Sequence, residues 1–312
     1  MENDQITQQE ADLLAKAELS LSDLTAGGLL NPEQSSTFLR KILDEATMLK
    51  EVRSVPMNAP QKVINKVGFT SRILKAAVQT TGSRALSSGD RSKPTTGKVT
   101  LNTVEVIAEV PLPYEVLEDN IERDDFQDTL LTLMAERAAL DLEELVIQGD
   151  TDSGDDYLAL TDGVLELATS NVVDAGNSPI TPALLSTAMK AMPTKYLRMK
   201  SRMAWFMPHD IEQDYRTALA SRQTGLGDAV ITGDAPVRAL GIRIIACANM
   251  PSDQIVLTDP RNIIFGLQRN IRIETDRNIQ ERQIDIVLTA RVAVQLEEED
   301  AVVKINNVAG LS

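Results

Sequence analysis

Apolar positions along the chain change period several times, and each change marks a different element. Thr7-Gln-Gln-Glu10 is a capping box ahead of Leu13, Leu14, Ala17, Leu21 and Leu24, which recur at helical spacing. Gly27-Gly28 breaks that helix. Asn31-Pro32 starts a second one, with Phe38, Leu39, Ile42, Leu43, Ala46 and Leu49 on one face. From Val63 to Val110 the pattern predicts a long two-stranded excursion, whose returning strand alternates at Val104, Val106, Ala108 and Val110. Pro111-Leu-Pro113 ends it.

The longest helical pattern runs from Asp124-Asp125 to Gln148 without Gly or Pro, and Gly149 stops it. At 1.5 Å per residue it would be about 37 Å long. Leu131, Met134, Ala135, Ala138, Leu142, Leu145 and Val146 form its broad apolar stripe. Leu133, Leu140 and Ile147 recur every seven residues on the opposite side, among Glu136, Arg137, Glu143 and Glu144. A sheet or arm of the same chain, or a neighbouring subunit, must cover that second seam.

Residues 150–180 read as an acidic connection rich in Gly, Asn and Ser. A mixed α/β stretch follows. It holds a helix through Leu184, Leu185, Ala188 and Met192, a strand at Ala204–Met207, and a helix after Pro208-His209-Asp210. Strands are expected around Val237 and at 242–248, after a Gly-rich loop, 225–233, expected to be mobile. Ile255–Leu257, Ile263–Phe265 and Ile271–Glu274 then read as short strands. Ile284 to Leu296 alternates over thirteen residues and would pack beneath the long helix. Glu297-Glu-Glu-Asp300 reads as a charged turn.

Charge changes this picture at one place. Between Gln61 and Thr103 stand Lys62, Lys66, Arg72, Lys75, Arg84, Arg91, Lys93 and Lys98 against the single acid Asp90, while the 312-residue chain carries −15. The tip of this stretch, 80–97, has almost nothing to bury, and a loop without its own core is either disordered or functional. A basic finger on an acidic body suits contact with another copy of that body.

Composition otherwise excludes more than it selects. At 43% hydrophobic and 25% charged residues the chain is globular. Its acidity opposes general nucleic-acid binding, and ten aromatics give few stacking platforms. No apolar run reaches membrane-spanning length, and the acidic, polar N-terminus is not a secretory signal. The single Cys247 rules out an internal disulfide. It sits in the apolar run 242–248 and reads as a small buried hydrophobe.

Candidate chemistry is sparse, and no cofactor is implied. His209, the one histidine, reads as part of a helix start, and with Cys247 it lacks the number and spacing of a zinc site. Neither a hydrolase nucleophile elbow nor a phosphate loop occurs. Asp150 and Asp152 match two positions of a calcium loop, but Gly154 and Asp155 stand in exchanged order and Thr161 replaces the bidentate Glu.

Taken in order, these segments resemble the HK97-fold major capsid proteins of tailed bacteriophages. Gly27-Gly-Leu-Leu-Asn-Pro-Glu33 and the helix ending Glu45-Ala-Thr-Met-Leu-Lys50 are similar to the family's N-terminal arm. Residues 62–110 are similar to its E-loop. Leu140 to Asp150, followed by Thr161-Asp-Gly163, is similar to the exit of its spine helix. Residues 181–250, with Gly241 and Ala248-Asn-Met-Pro251, are similar to its axial domain, and Phe265-Gly266 to the return into the peripheral domain. The resemblance implies an α+β capsid fold: arm 1–58, E-loop 59–112, peripheral domain with spine helix 113–178, axial domain 179–254 and return strands 255–312.

It also implies a non-enzymatic shell subunit that forms hexamers and pentamers around double-stranded DNA. A portal and a separate scaffolding protein are the other expected partners. DNA would be contacted weakly and a membrane not at all, with assembly in the host cytoplasm and residence in the virion capsid. On this reading the eight basic finger residues lie across Glu115, Glu118, Asp119, Glu122, Asp124 and Asp125 of a neighbour, and Leu133, Leu140 and Ile147 join the contact. Only about 55 residues precede the E-loop, fewer than a fused scaffold needs. No Lys, Asn and Glu can be aligned with the subunit cross-link that some members form. Two other readings are an encapsulin-like compartment loaded with protein, and an acidic metal enzyme using Asp150, Asp152, Asp155 and Asp156.

Overall fold

The computed structural model describes residues 46–69, 72–74, 91–114, 126–220 and 238–310, with the side chains of 126–129, 131 and 269–271 excepted. The predicted helices over 7–24 and 32–45, the Gly-rich loop 225–233, Lys75, Arg84 and the acidic residues from Glu115 to Asp125 lie outside the described residues.

Two sheets carry the fold. The first has four strands in the order β1-β10-β11-β4. These are β1 (Arg53–Met57), β10 (Ile263–Asn278), β11 (Gln283–Leu296) and β4 (Val104–Pro113). β11 is antiparallel to both neighbours, whereas β1 runs parallel to β10. Proline cannot donate to a ladder, and it occurs here only in the two edge strands, as Pro56 in β1 and Pro111 and Pro113 in β4.

The long helix, Phe126–Gln148, covers one face of this sheet. Met134, Ala135, Ala139, Leu142, Leu145 and Val146 join Ile284, Ile286, Leu288, Val292 and Leu296 of β11 in one core. The period-3.6 stripe thus meets the period-2 face, as the sequence pattern predicts.

The second sheet has six strands in the order β5-β12-β9-β6-β8-β7. They are β5 (Val172–Pro179), β12 (Val303–Ala309), β9 (Ile255–Thr258), β6 (Ala204–Met207), β8 (Ile242–Ala246) and β7 (Arg238–Ala239). Its central strands alternate between two cores. Trp205, Met207, Ile255, Leu257, Val303 and Ile305 face helices Pro182–Ala191 and His209–Ala220. Ala204, Phe206 and Val256 face the core of the long helix. The helix at Pro182 starts where the sequence puts it: the Thr181 side chain accepts from Leu184 N, and Pro182 takes the first position.

Three sequence expectations are corrected. The strand 104–113 is not the return arm of a hairpin; it zips onto β11 from Val104↔Val292 to Pro113↔Gln283. The paired excursion is shorter, β2 (Gln61–Gly68) with β3 (Thr95–Asn102). Residues 150–180 are more than a connection, since they supply a short helix, Val164–Leu167, and edge strand β5. The runs at 263–265 and 271–274 belong to one strand with a bulge between Gln268 and Arg272. A bulge hides the period that would have joined them.

At the exit of the long helix two glycines let the backbone cross itself. Gly163 N donates to Gly149 O at 2.7 Å. A Cβ on Gly149 would lie 2.2 Å from Thr161 O, and one on Gly163 2.7 Å from both Gly149 N and Ile147 O. No side chain fits either position.

Candidate subunit interface

The short β2–β3 hairpin forms a finger joining the two edge strands of the four-stranded sheet, β1 at one margin and β4 at the other. Its root is closed by Thr103 N donating to Pro60 O at 2.9 Å. Alternation gives it two unlike faces. The inner face carries Ile64, paired with Val99, and the fully buried Leu101. Ile64 and Leu101 pack with Val55 and Met57 of β1, Ile264 and Ala293. Gly266 makes room: a Cβ there would come within 2.7 Å of Met57 Sδ and 3.3 Å of Leu101 Cδ2.

Among the described residues the outer face is exposed, and on β2 it carries an apolar stripe. Val63 is 47% exposed, Val67 71% and Phe69 53%. Between the valines Asn65 pairs with Lys98, which is also exposed. Further out, Ile73 and Leu74 are exposed too. The sequence reading attended to the charges and missed this stripe, although Val63-x-Asn65-x-Val67-x-Phe69 has the period of a strand face.

The basic residues do not act alike. Lys66 turns inward: its ammonium donates to Glu297 O and pairs with Glu298 Oε1 at 3.0 Å. Lys62 donates to Pro56 O at 2.8 Å. For these two the expected contact with a neighbour is corrected to contacts within the chain. Their alternate positions point them back at the sheet margin, where the acidic turn after β11 waits. Lys93 and Lys98 are exposed, and the backbone of Arg72 accepts from Ser92 Oγ at 3.1 Å.

That acidic turn, expected to be a charged connection, is a junction. Glu297 pairs with Arg53 at 3.0 Å and Asp300 with Lys195 at 3.7 Å, while Tyr196 Oη donates to Glu298 Oε2 at 3.3 Å. Glu299 accepts from Thr169 and Ser170, and those hydroxyls hold its carboxyl below the usual range. The turn so ties the finger root, β1 and the edge of the six-stranded sheet together.

On the long helix the seven-residue seam divides. Leu133 is 56% and Leu140 38% exposed, as expected of a surface seam. Ile147 is wholly buried in the main core, which corrects its placement with them. Glu143, one turn before Ile147, is buried as well. Its carboxylate accepts from Met48 N at 2.8 Å, and burial pushes its pKa up. Ala46, Met48 and Leu49 are buried in the same core.

Two aspartates of the calcium-like run are spent on turns. Asp150 Oδ1 accepts from Asp152 N, and Asp155 Oδ1 from Tyr157 N, both at 2.8 Å. No cluster of metal-ligating side chains occurs among the described residues. His209 opens its helix from an exposed position. Cys247 is buried, and burial together with the Glu143 carboxylate pushes its thiol up. Among the described residues no helix is long and apolar enough to cross a membrane.

Comparison with known proteins agrees with this geometry. Residues 26–307 match the model of the phage capsid family. The chain is 43% identical over 306 residues to YqbE of Bacillus subtilis (strain 168), whose name is that of a prophage capsid protein; the match covers 94% of this chain and 97% of that one. Among solved structures, a chain of the satellite phage P4 procapsid superposes with a TM-score of 0.66 at 14% identity, covering 99% of this chain and 98% of that one. The capsid of the native GTA particle gives 0.61 at 16% identity, covering 85% and 91%. The fold is thus an α+β fold of the HK97 capsid type, and the chain belongs to the phage capsid family.

Proposed function

We propose that this protein is the major head subunit of a tailed phage or prophage, closing as hexamers and pentamers into an icosahedral shell around double-stranded DNA. The observation that carries this reading is the bare outer face of the finger. Val63, Val67 and Phe69 are exposed on an element whose other face packs Ile64 and Leu101 against β1. Such a patch marks an interaction surface.

In this reading the finger is the E-loop, the helix Phe126–Gln148 is the spine, the four-stranded sheet belongs to the peripheral domain and the six-stranded sheet to the axial domain. The finger crosses to a neighbour. Its apolar stripe is buried there, and Arg72, Lys75, Arg84, Arg91, Lys93 and Lys98 meet the acidic stretch from Glu115 to Asp125. Each exposed pair contributes only about 0–1 kcal/mol. Repetition over a closed lattice makes such small terms decisive. A body with this acidity lets DNA pack without adhering. The role is structural, the assembly cytoplasmic, and a portal and a separate scaffold complete the head.

The test is the double variant Val67→Asp with Phe69→Asp. It should leave the far-ultraviolet circular dichroism and the melting temperature unchanged while abolishing closed shells in electron micrographs. Normal shells from that variant would sink the proposal. Nuclease-resistant DNA inside wild-type particles separates a genome container from a protein-loaded one.

A further inference from the structure

We propose that a second copy of this chain docks through its edge strand β4, placing Ile107 and Glu109 in a cation-rimmed groove at the junction of the two sheets. This contact presupposes the shell reading and is separate from the finger.

The groove lies where the short helical turns Thr194–Leu197, Lys200–Arg202 and Pro260–Asn262 meet the acidic turn after β11. Its volume is about 440 Å³, enough to take side chains of another molecule. Tyr196, Met199, Met203 and Ala301 give it an apolar wall, and Met199 is 53% exposed. Thioethers adapt to the shape of an incoming apolar side chain.

The rim is positive on an acidic chain. From 175 to 209 the sequence holds Lys190, Lys195, Arg198, Lys200 and Arg202 and no acid. Two cations of the groove are engaged, Arg202 with Asp259 at 2.9 Å and Lys195 with Asp300 at 3.7 Å. Arg198 and Arg261 also line it and are exposed. Arg198 Nε donates to Lys195 O at 3.3 Å, but among the described residues neither guanidinium has an ion pair. A carboxylate beside an apolar side chain fits such a site. Duplex DNA does not, because Asp259, Glu297 and Glu298 line the same groove and would face its phosphates.

The chain carries that ligand elsewhere on its surface. Glu105, Ile107 and Glu109 share one face of β4, which ends its sheet. All three are exposed, Ile107 at 69%. Arg291 holds Glu105 at 2.9 Å, whereas Glu109 has no ion pair among the described residues. The strand cannot fill its own groove. Ile107 pairs with Thr289, and the groove opens past Leu296, so about 23 Å of β11 separates the two. Knob and socket on different parts of one molecule make a head-to-tail contact, which builds a ring where the rotation closes.

Single-cysteine chains test this. Ile107→Cys and Met199→Cys subunits are mixed before assembly and treated with a short bis-maleimide. The native Cys247 is buried with a raised thiol pKa and stays unreacted. The mixture should give a linked dimer on a denaturing gel, and neither chain alone should. Shells that form without that link overturn the contact and leave the shell reading standing; a wild-type chain that forms no shells overturns both. Charge reversal is the second readout. Glu109→Arg, or Arg198→Glu with Arg261→Glu, should lower the yield of shells several-fold at unchanged melting temperature, and all three together should restore it. Unchanged yield or no restoration overturns the contact. So does protection of Met199→Cys from a monofunctional maleimide that arises only when the shells hold DNA.

Discussion

The two sheets of this subunit are finished to different degrees. The six-stranded sheet buries both faces of its central strands, with Trp205 and Met207 under its own helices and Ala204 and Phe206 against the main core. The four-stranded sheet is packed beneath by the long helix, but among the described residues its other face holds only a small cluster under the finger root. Around it stay Ile107 at the sheet margin, Val67 and Phe69 on the finger and Ile279 at the β10–β11 tip, all exposed. The centre of one half is complete in a single copy. On the proposed reading the other leaves to further copies the burial that would stabilise it.

Damage to the two halves should therefore differ in kind. Trp205→Ala should have the largest effect on the isolated subunit. It removes a fully buried side chain and orphans Ala239 O, which now accepts from Nε1 at 3.3 Å. Loss of a buried aromatic costs about 3–5 kcal/mol, readable as a lowered urea midpoint. Gly163→Ala comes next. Backbone atoms 2.7 Å from the new Cβ cannot yield as a flexible side chain would, so about 1–3 kcal/mol is expected from overpacking.

Glu143 supplies a pH signature. Burial raises its folded pKa above 4.5, so folding favours the protonated form. That contribution is fully present below the unfolded pKa and is lost as pH rises through the folded value. Glu143→Gln should flatten this part of the stability–pH profile; identical profiles for wild type and variant would place the burial effect elsewhere. The smallest effect belongs to Lys66→Met. Its pair with Glu298 is half-exposed, and about 0–1 kcal/mol is expected, with assembly more sensitive than melting temperature.

Much of this was legible because local pattern and tertiary fate coincide. The run 204–207 is a strand buried on both sides and reads as unbroken apolar sequence. Thr181-Pro182 and Pro193 bracket their helix by cap and stop. The long helix announces its core stripe by period alone. What stayed hidden is what neighbours decide. Val104 to Val110 alternates equally well for a hairpin or for the edge of a sheet, and only the register to β11 chooses between them. Ile147 shares the heptad of Leu133 and Leu140, yet it lies one turn past Glu143, where Met48 meets the helix, and is buried in the main core. The charge of Lys66 showed in composition, but its direction depended on which face of β2 turned toward Glu298.

The finger is rooted at both margins of one sheet, through β1 on one side and β4 on the other. β1 lies parallel to β10 across five paired residues, and β4 antiparallel to β11 across ten. A tug along the strand direction would not peel these ladders open one rung at a time. It loads their hydrogen bonds together, in shear, and shares the strain between opposite borders. Pressure from inside a filled container would thus be met by two anchors whose rungs must slip all at once.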